Sequence, residues 1–138
     1  MNAMDIVLFF HVLSAFALVA GVVTFGAVMR QASRPDGAAA LRLTPLARRL
    51  WDIGGGGTLV LGIVLALDEF EITDGWILGA LALWVVAAGG GVRLGQVLGG
   101  AEGARDSGVL GGQAWGLFSV AALATLGILY LMVFKPGL

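Results

Sequence analysis

Four apolar runs divide the chain, at about residues 4–29, 51–67, 76–98 and 109–134. Each is about as long as a helix must be to cross the hydrocarbon core of a bilayer, roughly 17–25 residues. The fold class they imply is all-α: a single transmembrane domain over residues 1–138, built as a four-helix bundle. Only 12% of the 138 residues are charged and 59% are hydrophobic, with a mean hydropathy of +0.96. A water-soluble domain carries about 25% charged residues, so the solvent here is lipid. The first run is expected to be retained rather than cleaved as a signal peptide. It has no preceding Lys or Arg, carries Asp5 instead, and exceeds the usual length of such a segment.

The basic residues indicate how the runs are threaded. Arg30, Arg34, Arg42, Arg48 and Arg49 lie between runs one and two, Arg93 and Arg105 flank the junction of runs three and four, and Lys135 alone follows run four. The connection between runs two and three holds Asp68, Glu69, Glu71 and Asp74 and no base. Connections rich in Lys and Arg stay in the cytoplasm. The arginine-bearing loops are therefore expected inside, with both termini and the acidic 68–74 loop outside the plasma (inner) membrane. Within the long first connection, GAAALRLTPLARRLW has helical spacing interrupted by Pro45. It reads as a short interfacial helix with Arg42, Arg48 and Arg49 among lipid headgroups.

Helices in lipid gain nothing by escaping water and associate through close packing of small residues. Such residues recur four apart as Gly54, Thr58, Gly62 and Ala66 in run two, and as Ala87, Gly91, Gly95 and Gly99 in run three. Ala17 and Gly21 in run one, and Gly112 and Gly116 in run four, extend the pattern. These rows can join helices of one chain or of two. GGGG at 54–57 is not followed by Lys-Ser or Lys-Thr and has no preceding strand, so it is not a phosphate loop. Asp52, just before it, reads as a cap or dipole partner for run two, or as a partner of Arg48 or Arg49. Thr73 or Asp74 is expected to cap run three, and Asp106 or Ser107 run four. Trp51, Trp76 and Trp115 read as residues of the aromatic belt.

His11 is the only histidine in the chain and lies inside an apolar run, roughly 9 Å below its outer end at 1.5 Å per residue. An ionisable residue at this depth should face the bundle. One reading is structural, with a neutral ring bonded to Ser14, to a backbone carbonyl or to another helix. A second is an axial haem ligand; a third is a proton relay or a metal ligand. Met4 and Met132 are conceivable soft partners at the same end, in a His/Met haem site or a copper-type site. The chain has no cysteine and a net charge of −1. Disulfides, thiolate chemistry and a nucleic-acid partner are thereby excluded. Ser14 and Ser119 have no recognisable base, so no catalytic residues are assigned.

The stretches FHVLSAFALVAGVVTFG, WILGALALWVVA and LYLMVFKPGL resemble the DUF2269 family of small bacterial integral membrane proteins, to which no activity is attached. A more distant likeness is to copper-resistance protein D and the HemJ-type protoporphyrinogen oxidases. Those also place a histidine early in the first span ahead of a glycine, as His11 and Gly21 stand here, and in the HemJ type that histidine is associated with haem. The further histidine and the first-span lysine of that pattern are missing from this chain. The expected function is thus association, as a homo-oligomer or as an accessory subunit of a membrane complex. The alternatives are a haem-binding or redox protein centred on His11, and a transporter of a small solute or metal ion.

Overall fold

The structure, a computed structural model, describes residues 2–104 and 111–137. Among these are four helices and no strand: α1 (Ala3–Ala32), α2 (Thr44–Glu69), α3 (Gly75–Ala104) and α4 (Gly112–Phe134). All four are long and apolar enough to cross a membrane. The expectations for Arg105, and for Asp106 or Ser107 as a cap, fall outside the described residues.

Local sequence sets the helix ends. Asn2 and Asp5 form a reciprocal cap at the start of α1: the Asp5 N–H donates to Asn2 Oδ1 at 2.9 Å and the Asn2 N–H to Asp5 Oδ2 at 2.8 Å. Both satisfy donors that the first helical turn leaves free. A 3₁₀ segment, Gly37–Leu43, follows α1. Pro45 does not interrupt a helix. It sits in the first turn of α2, where its missing N–H has no partner to lose. Arg48, Arg49 and Trp51 therefore ride on the spanning helix itself and not on a separate interfacial one. For the same reason Asp52 is no cap, because it lies two turns inside α2. It pairs with Arg48 at 3.7 Å across one turn, with both side chains about half exposed, and such a pair adds little stability. At the start of α3 the Asp74 carbonyl accepts from the N–H groups of Ile77 and Leu78.

The helices run up and down in sequence, and the closest contacts show why the glycines sit where they do. Along the α1–α2 seam, a Cβ added at Gly21 would stand 2.8 Å from the Trp51 nitrogen, and one at Gly54 would overlap the Leu18 backbone. One at Gly57 would strike the Ser14 side chain, and one at Gly62 would come to 3.0 Å from His11 Cε1. Residues 11, 14, 18 and 21 of α1 thus meet 62, 57, 54 and 51 of α2 in antiparallel order. Backbones come close because hydrogen atoms stand where side chains would. The GGGG stretch is divided between neighbours: Gly54 and Gly57 face α1, the Gly55 carbonyl accepts from Trp84 Nε1 of α3 at 3.0 Å, and nothing lies within 4 Å of a Cβ at Gly56.

The helices α3 and α4 form the second tight pair, with Gly90 on Ala121 and Gly127 under Leu83. Between the pairs, the Trp51 ring covers Gly91, and Gly95 lies beneath the aliphatic stem of Arg48. Trp51 is only 4% exposed and meets Phe25 edge to face at 6.1 Å. It is a core residue and not part of an aromatic belt. Trp115, 38% exposed, lies near the surface. The helices α1 and α4 touch at the arginine-bearing end, where the Phe118 ring comes to 3.0 Å from a Cβ at Gly26. Among the described residues, no other element approaches Gly99, Gly112 or Gly116 within 4 Å of an added Cβ.

Candidate functional site

Two tight hairpins joined at one end leave room at the other. A half-open cavity of about 950 Å³ lies there, walled by all four helices at the end that carries the acidic loop and both described chain ends. Its lining is mostly apolar. Val12 and Phe16 of α1 and Val133 of α4 edge it, and all three are strongly exposed, so one side faces the surface that hydrocarbon covers. Trp84, held by its bond to Gly55, also lines it.

His11 is on this wall. It stands eight residues after the first residue of α1, about 12 Å along the helix. His11 makes no bond to Ser14, one of the three kinds of partner considered above; the Ser14 hydroxyl donates to the Phe10 carbonyl of its own helix at 2.8 Å. His11 Nδ1 is enclosed without a hydrogen-bond partner. The ring comes beside the Thr58 backbone without reaching hydrogen-bond geometry. A neutral imidazole carries its proton on one ring nitrogen and leaves the other free to accept. The wall thus offers one nitrogen base in apolar surroundings.

Two further enclosed polar atoms lack partners on the same wall, Thr58 Oγ1 and Trp76 Nε1. Thr58, like Thr44 in the first turn of α2, departs from the other helical serines and threonines. Ser14, Thr24, Ser119 and Thr125 all donate to the carbonyl four residues back, the usual fate of a hydroxyl inside a helix. Sequence reasoning placed Thr58 only in a row of small residues. Its signal was that no other hydroxyl lies in the apolar stretch of α2.

Met4 and Met132 line the same cavity as His11, Met4 from α1 and Met132 from α4. Among the described residues no three of His, Cys, Asp and Glu gather closely enough to hold a metal ion. Asp5, Asp68, Glu69 and Lys135 also line the cavity, three carboxyl groups against one ammonium. Lys135 ends α4 with a left-handed backbone (φ 40°). Its Nζ lies 4.3 Å from the centre of the Phe70 ring and 5.6 Å from that of Trp76. Those two rings meet edge to face at 5.3 Å.

Of the small-residue rows, Thr58, Gly62 and Ala66 also line the cavity. Gly54, Ala87, Gly91 and Gly95 are buried elsewhere in the bundle, and Ala17 is half-buried. Arg42, Arg48 and Arg49 are exposed at the end opposite the cavity. Comparison with family models, with curated proteins and with solved structures gave no match.

Proposed function

We propose that this is a small multi-pass protein of the bacterial inner membrane that takes a lipophilic small molecule into the cavity between its two helical hairpins. The observation that carries the reading is a space of about 950 Å³ whose apolar wall contains His11. Cavities of roughly 300–1,000 Å³ with a few placed polar groups are the usual form of small-molecule sites. An acyl chain of bulk lipid can fill such a space but leaves its polar atoms without partners, at a cost of roughly 1–3 kcal/mol for each group.

Haem is one lipophile that His11 suits, as an axial ligand through a ring nitrogen, with Met4 and Met132 lining the same cavity. The lining charge opposes it, since porphyrin carboxylates would meet three acids and one lysine. Association with a second copy or a larger complex rests on Gly99, Gly112 and Gly116 alone, because the remaining glycines of the rows meet neighbours within the chain.

The protein extracted from its own membranes in mild detergent is expected to carry a stoichiometric non-phospholipid compound, detected by mass spectrometry of the organic extract. Ala80→Trp, which fills the cavity from α3, should lose it. Phospholipid alone in both preparations removes the reading. A Soret band that disappears in His11→Ala would identify the compound as haem.

The arginine-bearing loops are assigned to the cytoplasm. Because the chain has no cysteine, single replacements report directly. Ile72→Cys should react with a membrane-impermeant maleimide in spheroplasts, and Arg42→Cys only after permeabilisation. The opposite pattern reverses the threading.

A further inference from the structure

We infer that the cavity is selective for lipophilic organic cations, and that Lys135 occupies their head-group position as a tethered competitor. This rests on the cavity reading above and adds the charge and shape of the ligand. Three observations on different elements converge. The space is apolar and laterally open, which admits a greasy body. Its lining has three carboxyl groups, Asp5, Asp68 and Glu69, against the single ammonium of Lys135. At that end Phe70 and Trp76 already hold a cation, the Lys135 ammonium, at 4.3 and 5.6 Å from their ring centres.

An aromatic face attracts a cation through its quadrupole, and more strongly where water is displaced. Lys135 is a strongly hydrated ammonium on a flexible stem, so holding it against two rings forgoes hydration. A bulky cation with diffuse charge gives up less water and adds apolar contact inside the cavity. It therefore displaces the lysine side chain, which swings out to solvent. An anion of the same shape meets three carboxyl groups against the single ammonium of Lys135. Asp5 is engaged in the cap with Asn2, which leaves Asp68 and Glu69, both exposed, as the carboxylates free to turn toward a cation.

The test uses the purified full chain in a non-ionic maltoside and isothermal titration, with protein-free micelles as the blank. Tetraphenylphosphonium, tetraphenylborate and triphenylphosphine oxide serve as cationic, anionic and neutral probes of related shape. Saturable one-to-one binding is expected for the phosphonium, at least tenfold tighter than for either of the others. Lys135→Ala should tighten it about fivefold, and Phe70→Leu should weaken it about fivefold, the size of a partly desolvated cation–π contact. A lysine that only supported the fold would weaken binding when removed, so the sign of that change separates the two roles. Equal binding of all three probes, or weaker binding in Lys135→Ala, overturns the cation inference and leaves the cavity reading standing. No saturable binding of any probe, with helicity intact by circular dichroism, overturns both.

Discussion

Gly54→Leu is expected to separate α1 from α2 and to cost the protein more than about 3 kcal/mol, the upper end of ordinary overpacking. Most overpacked sites recover by rotating a neighbouring side chain. Here the atoms in the way are the backbone of Ala17 and Leu18, which can yield only if the whole helix moves. Denaturation in mixed micelles with increasing dodecyl sulphate, followed by circular dichroism and Trp fluorescence, should show a large fall in midpoint. Gly56→Leu is the matched control, two residues along the same helix with nothing within 4 Å of an added Cβ. It should be neutral or stabilising by up to about 1 kcal/mol, since leucine is the better helix former. Equal effects at the two positions would mean that helix propensity, not the α1–α2 seam, sets the role of these glycines.

Trp51→Ala should cost about 3 kcal/mol, at the lower end of the range for deleting a buried large aromatic side chain. The lower end applies because the separated helices are solvated by lipid, so the loss is one of packing and not of shelter from water. The ring is 4% exposed and fills the space above Gly91 while meeting Phe25. A tryptophan of the interfacial belt would lose less than about 1 kcal/mol. The pair with Gly91 supplies an internal check, because Gly91→Ala is destabilising only while the Trp51 ring stands over it. In a double-mutant cycle the penalty of Gly91→Ala should vanish in the Trp51→Ala background. An additive cycle would place Trp51 outside the core.

Length and hydropathy made the four helices readable, because a span must be long, apolar and continuous whatever its neighbours are. The four-residue rows made Gly54, Gly62 and Gly91 readable as sites of close approach. Spacing along one helix could not say which neighbour each glycine meets. Gly57 stands one residue out of the row, yet it is what admits Ser14. Trp51 was misread because its distance from an arginine pair resembles that of a belt residue, and only the continuous first turn of α2 through Pro45 carries it into the bundle. His11 was found by its chemistry, but its setting was not. Ser14, one of its candidate partners, is satisfied within α1, a local bond that competes with any other. The cavity had no linear signature. It arises from residues as distant as Met4, Thr58, Trp76 and Met132, which come together only because two hairpins touch at Phe118 and Gly26 and diverge beyond.

That division into pairs bears on how the protein is made. Chains emerge from the ribosome amino end first, and early segments can settle before later ones exist. The first pair of helices holds its closest contacts within itself, so it can lock together while the second is still being synthesised. The cavity is then the last part to be completed, because two of its four wall helices come last.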